Sequence, residues 1–381
     1  MVALPTLGEV TFDPSSLPPM DVADRSARLR AKLAEAGCDA LLVTNVTNIR
    51  YLTGFTGSAA LLLVRPDGLV FVTDGRYRDQ ATAQLAAAGV EARIAIGPDV
   101  DARRRLVAEA VPPDGARLGL EADDVTWGQK RRFDREWFPA AKVVATSELV
   151  ESMRTVKDAG EVARLEAACA MADAALAAVR HRLGEGVTEA EVALELEWQM
   201  RRLGAEGPSF DTIVASGPNA AMPHHRAGDR RIRKGDLVVL DFGALVDGYH
   251  SDMTRTVMVG GPSETQARMY DVVRRAQAAG VAAVRAGVEA KAVDEACRSV
   301  ISDAGWGDAF VHGTGHGVGL DIHEAPRVAK SADAMLAAGH VVTVEPGVYL
   351  GEHGGVRIED TVVVTSEGCR TLTRAPKDFD L

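Results

Sequence analysis

Residues 238–257 read VVLDFGALVDGYHSDMTRTV. The apolar run Leu237-Val238-Val239-Leu240 leads into Asp241, and Asp252 opens a β-branched run through Thr254, Thr256 and Val257. Between them, Val246-Asp247-Gly248 carries the Asp-Gly pair favoured in two-residue hairpin turns. The stretch predicts an antiparallel hairpin with one carboxylate in each strand. A turn centred between Val246 and Asp247 sets Asp241 directly opposite Asp252. Two ionised carboxylates that close repel, so either one holds a proton or a cation lies between them.

Working outward, the same order of elements occurs twice. Helices over 159–183 and 189–203, with Gly186-Val187 between them and Gly204 behind, precede the Asp hairpin. Helices over 264–285 and 290–304, with Gly287-Val288 between them and Gly305 behind, precede a second strand pair, 341–345 and 356–364. Gly186 and Gly287, like Gly204 and Gly305, are 101 residues apart. Two helices and a hairpin are therefore duplicated. The second strand pair also carries acids, Glu345 and Glu359, and a connection centred on Glu352 faces them toward each other. Four mutually repelling acids in equivalent places of a repeat are hard to explain as salt-bridge partners.

The segment FVHGTGHGVGLDIHE, 310–324, adds His312, His316 and His323 on a glycine-rich loop that lets an imidazole approach a ligand closely. With His224 and His225, five of the nine histidines fall in two short segments. Four carboxylates and one neutral imidazole balance two divalent cations, as in hydrolytic dinuclear centres with ions roughly 3.5–4 Å apart. An oxygen-rich set with one His suits Mn²⁺ first, with Co²⁺, Fe²⁺ or Zn²⁺ also compatible.

A chain of 381 residues exceeds one ordinary core, which gives a first domain at 1–150 and a second at 151–381. The first alternates short strands with helical periods, an α/β pattern. Its segment 48–55, NIRYLTGF, reads as a turn-rich loop. The net charge of −11 argues against nucleic-acid binding, and no apolar run approaches the roughly 20 residues that span a bilayer. The N-terminus lacks a basic, then apolar, leader, and four dispersed cysteines suit a reducing compartment; both point to the cytoplasm.

Asp241, Asp252, His316, Glu345 and Glu359, in the contexts LDFGA, SDMTRT, GTGHGVGL, VEPG and RIEDT, resemble the five metal ligands of the pita-bread-fold metallopeptidases, in their Xaa-Pro aminopeptidase and prolidase branch. NIRYLTGFTGSAA and VTDGRYRDQA are similar to that branch's creatinase-like N-terminal domain, so the likeness covers nearly the whole chain. It implies an α/β creatinase-like domain followed by an α+β pita-bread domain. It implies that Asp241 binds one ion, that Asp252 and Glu359 bridge two, and that His316 and Glu345 complete the set, with Glu345 also the proton shuttle. His224 and His323 match substrate-side histidines, and His312 and Arg357 match polar groups around the site, Arg357 holding a bridging carboxylate. Arg327 sits where prolidases use an Arg on the substrate carboxylate. The expected activity is removal of the residue ahead of proline by a homodimeric aminopeptidase acting on small peptides. The alternative is an Xaa-Pro dipeptidase; a metal-free amidinohydrolase or a non-catalytic module fits the full ligand set less well.

Overall fold

The computed structural model describes residues 13–112 and 115–379, so the leader-free reading of the first twelve residues lies outside the described part. Two compact units are present, one over Met20–Arg154 and one over Thr155–Leu381 with the described residues ahead of Met20. The first is a mixed six-stranded sheet in the order Arg93–Ile96, Gly68–Thr73, Ala60–Arg65, Ala40–Val43, Arg117–Glu121, Lys142–Thr146. Its segment 48–55 is not a loop. Val46–Thr53 is a helix, opened by Asn45 Oδ1, which accepts from the N–H groups of Thr47 and Asn48, and closed by Gly54 at φ 72°.

In the second unit the repeat is built as its sequence reads. Helices Ala159–Val179 and Glu189–Arg202 pack Leu176, Leu196 and Met200 against Leu240, Phe242 and Val257 of the Asp hairpin. Helices Glu264–Ala283 and Ala290–Asp303 pack Val273, Val293 and Ile301 against Val342, Val344 and Val362 of the Glu hairpin. Capping boxes open three of the four, at Asp158 with Glu161, Thr188 with Glu191 and Ser263 with Gln266. Gly204 and Gly305 end the second helix of each copy at φ 107° and 86°, where a side chain is strained.

Backbone bonds at the base of each hairpin fix the correspondence between copies. Gly235 N–H donates to Val259 O and Val259 N–H to Asp236 O; Gly339 N–H donates to Val364 O and Val364 N–H to His340 O. In the Asp hairpin the register differs from the expected one by two residues: Asp241 pairs with Thr254, and Leu245 with His250. The turn is centred one residue later because Asp247 and Gly248 both adopt positive φ, 45° and 72°, as a type I′ turn requires. A shift of two keeps Asp252 on the same face as Asp241, now diagonal to it. In the Glu hairpin Val344 pairs with Asp360 and Gly347 with Arg357, the register that opposes Glu345 to Glu359. Of the four acids only Asp241 and Glu345 therefore hold equivalent places. Glu359 corresponds to Thr254, and Asp252 corresponds to Arg357.

All four cysteines are free, and no helix among the described residues is long and apolar enough to cross a membrane.

Candidate metal centre

The hairpins cross with counterparts touching. Thr254 Oγ1 donates to Glu359 Oε2 at 2.7 Å, and Arg255 Nη2 donates to Asp360 Oδ1 at 3.0 Å. Thr256 Oγ1 donates to Arg357 O and Thr361 Oγ1 to Asp252 O, both at 2.8 Å. These reciprocal bonds bring both acidic faces to one buried spot. Asp252, His316 and Glu359 each offer a ligand atom there, all within 4.8 Å of one another.

His316 Nε2 lies 3.5 Å from Asp252 Oδ2 and 3.4 Å from Glu345 Oε1. Its Nδ1 donates to Gly317 O at 3.0 Å, which leaves Nε2 as the ring nitrogen that faces the acids. Thr343 Oγ1 donates to Glu345 Oε1 at 3.1 Å. Arg357 Nη2 donates to Asp241 Oδ2 at 2.5 Å, and Arg357 Nε to Thr254 Oγ1 at 3.1 Å. The arginine thus holds Asp241 directly and reaches the expected bridging carboxylate, Glu359, only through Thr254. Tyr349 OH accepts from Arg357 Nη1 at 2.9 Å and donates to His312 Nε2 at 2.8 Å, because His312 Nδ1 carries the proton given to Gly313 O.

Burial dominates the titration of this cluster. It raises the Asp241 carboxyl to about 6 against the pull of Arg357, and it raises Asp252 and Glu345. Glu359 is pushed well above the usual range by burial and by the charges of Asp252, Glu345 and Asp241. Burial opposes charge on His316, but its bond to Asp252 and the Glu345 carboxylate outweigh this and raise it to about 9. Burial lowers His312 to about 4.

Asp241 Oδ1 and Glu359 Oε1 are buried with no hydrogen-bond partner. An unpartnered buried carboxylate oxygen is costly, and a hard divalent cation is the partner that oxygen donors of this kind accept. Asp252, His316 and Glu359, whose ligand atoms come together, offer the donor chemistry that such ions take, and the unpartnered Asp241 and the Glu345 carboxylate add two more acids to the same buried cluster. Bound there, divalent ions polarise a substrate carbonyl and bring the pKa of a coordinated water toward neutrality.

Around this core, His323 stacks edge-on to His316 with ring centroids 4.4 Å apart. Its neighbour Glu324 is clamped by the buried Lys157, Nζ to Oε2 at 2.8 Å. His224 and His323 are exposed, as is Arg327 on the strand Glu324–Val328, which pairs with Gly315–Gly317. Arg327 makes no hydrogen bond or ion pair among the described residues. His225 turns away and donates from Nε2 to Glu189 Oε2 at 2.8 Å. Sequence reasoning missed Thr254, Thr343 and Tyr349. Each lies within five residues of an expected ligand, and a hydroxyl beside a buried acid is the signal that singles them out.

A duplicated metallohydrolase cradle on crossed hairpins is the class that this geometry defines. The chain belongs to metallopeptidase family M24, whose model matches residues 163–366, and a creatinase/prolidase N-terminal domain matches residues 25–156. It is a metal-dependent hydrolase with the two-domain pita-bread fold. An Xaa-Pro dipeptidase of Pyrococcus furiosus is 46% identical over 232 residues, 61% of this chain and 67% of that protein. The solved Xaa-Pro dipeptidase from Bacillus anthracis is 41% identical with a TM-score of 0.89, covering 94% of this chain and 99% of that one. The X-Pro aminopeptidase from Thermotoga maritima is 36% identical with a TM-score of 0.84, covering 94% of this chain and 100% of that one.

Proposed function

We propose that this chain hydrolyses the peptide bond that precedes proline, with two divalent cations, Mn²⁺ foremost, held by Asp241, Asp252, His316, Glu345 and Glu359. The observation that carries the reading is the pair of buried, unpartnered oxygens on Asp241 and Glu359, beside an imidazole whose Nε2 faces Asp252 and Glu345.

A bond before proline is a tertiary amide without N–H. Its nitrogen must gain a proton as it leaves. Glu345, oriented by Thr343, takes that proton from the attacking water and delivers it. His224 and His323 on the open side donate to the developing oxyanion, while Arg357 and His312, joined through Tyr349, hold Asp241 in place. Arg327, exposed and unpaired, takes the free carboxylate of an Xaa-Pro dipeptide.

Dipeptide hydrolysis is the first reading, supported by the likeness to proteins named Xaa-Pro dipeptidase, 46% identical over 232 residues in one case and 41% identical across 94% of the chain in another. Removal of one residue from longer peptides is the second, supported by the likeness to the Thermotoga maritima protein. Turnover of Xaa-Pro and Xaa-Pro-Xaa at matched concentration decides between them: the first reading expects hydrolysis of the dipeptide alone. Activity that survives complete chelation would sink both.

A further inference from the structure

We propose that Glu189 and His225 are positioning residues that set the orientation of His224. The inference rests on the proline-specific reading above, in which His224 meets the substrate.

Glu189 opens the helix Glu189–Arg202 and is wholly buried. A carboxylate so placed is tolerated only when its lone pairs are filled. Oε1 accepts from Ser216 N at 2.8 Å, Ser216 Oγ at 2.6 Å and Asn219 Nδ2 at 2.9 Å. Oε2 accepts from His225 Nε2 at 2.8 Å and Gly228 N at 3.4 Å. Every one of these donors lies in residues 216–228, the segment that carries His224. The helix itself does not need the carboxylate, since Thr188 Oγ1 already accepts from Glu191 N at 3.1 Å.

His224 sits inside a tight turn closed by His225 N–H donating to Met222 O at 3.1 Å. The residue before it is held from the metal side, where Arg357 Nη1 donates to Pro223 O at 3.4 Å. The residue after it is held from the opposite side, by Glu189. A carboxylate only accepts, so His225 carries its proton on Nε2. Two anchors one residue to either side fix the backbone from which the His224 side chain projects.

The second copy meets the same need with different residues. Asp294, buried on the helix Ala290–Asp303, accepts from Thr314 N at 3.2 Å and Thr314 Oγ1 at 2.9 Å. Its partner Arg298 donates to Phe310 O at 3.0 Å and His312 O at 2.9 Å. In both copies a buried acid on the second helix holds the loop that presents a histidine.

The test uses the metal-loaded full chain with His225→Leu, His225→Gln, His224→Ala and the double variant His224→Ala/His225→Leu, so that it does not depend on a Glu189 variant that fails to fold. His225→Leu should lower kcat ~10–100-fold with KM within about threefold and bound metal unchanged, the scale of losing an orienting partner. His225→Gln, whose amide N–H reaches Glu189, should recover most of that loss. The double variant should be no slower than His224→Ala, because His225 acts through His224. Additive losses in the double variant, an unaffected kcat in His225→Leu, or loss of metal with it would overturn the inference while the wild type still cleaves Xaa-Pro. A wild type inert on every Xaa-Pro substrate would instead remove the functional reading, and this inference with it.

Discussion

The Asp hairpin and the Glu hairpin share their opening hydrogen bonds and their place against a helix pair, yet at the positions that matter most their side chains have parted. Where one has Thr254 and Arg255, the other has Glu359 and Asp360, and the counterparts touch. A strict repeat would set Arg against Arg or Asp against Asp at that contact, which burial forbids. Divergence was therefore required wherever the pseudo-twofold axis brings a residue onto its own counterpart. The same divergence places an acid at 252 and an arginine at 357, so the site gains a fourth carboxylate on one side and a cation to hold Asp241 on the other.

Five substitutions test this contrast. Asp252→Asn should lower turnover by ~10³-fold or more while leaving the fold intact, since it removes a ligand and relieves repulsion together; near-normal turnover in a steady-state assay would show that the hairpin is not the site. Asp360→Ala strands the buried Arg255 guanidinium and should cost ~3–5 kcal/mol in a denaturant titration. Gly243 and Gly347 hold equivalent places but have unlike surroundings. A Cβ on Gly243 meets the Ser251 backbone oxygen at 1.8 Å, whereas on Gly347 the nearest atom is the Tyr349 side-chain hydroxyl at 2.6 Å. Gly243→Ala should therefore destabilise by ~1–3 kcal/mol, and Gly347→Ala by clearly less.

The smallest effect concerns His340, the counterpart of Asp236. Each accepts a backbone N–H three residues earlier, Asp236 Oδ2 from Arg233 at 2.8 Å and His340 Nδ1 from Ala337 at 3.2 Å. Burial, aided by the charge of Lys157, lowers His340 from 6.5 to about 4. The folded state thus favours the neutral ring. Its contribution is complete above pH 6.5 and is lost as the pH falls toward 4. The stability gap between wild type and His340→Gln, followed by thermal melts, should shrink across that window.

The duplication was legible because the glycines at the helix ends recur 101 residues apart, and the acids stood out because a carboxylate in an apolar strand is rare; the expected equivalence of the acids holds only for Asp241 and Glu345. The face of each acid was legible too, since side chains alternate with a period of two and the error in the Asp hairpin was an even number. The register was misplaced although the signal was present: Asp247 and Gly248 as the two central residues of a type I′ turn centre it between them, one residue later than the centre that opposes Asp241 to Asp252. The helix Val46–Thr53 was missed although Asn45 and Gly54 mark its ends, because a run of polar residues hid its single buried stripe. The Glu189 anchor was invisible: its donors lie 27 to 39 positions away, and no local pattern links them.

The Arg255–Asp360 contact has a consequence for truncation. Besides Thr254 O, Glu359 O and Gln277, its partners come from residues 373–377: Arg255 donates to Ala375 O, and Asp360 accepts from Thr373 Oγ1 and Lys377 Nζ. A chain lacking Thr373 to Lys377 keeps the residues of both hairpins but loses these contacts to the buried charge pair next to Glu359. Truncation ahead of Thr373 is therefore expected to loosen the ion pair that ties the two hairpins together, and with it Glu359, whose carbonyl Arg255 holds.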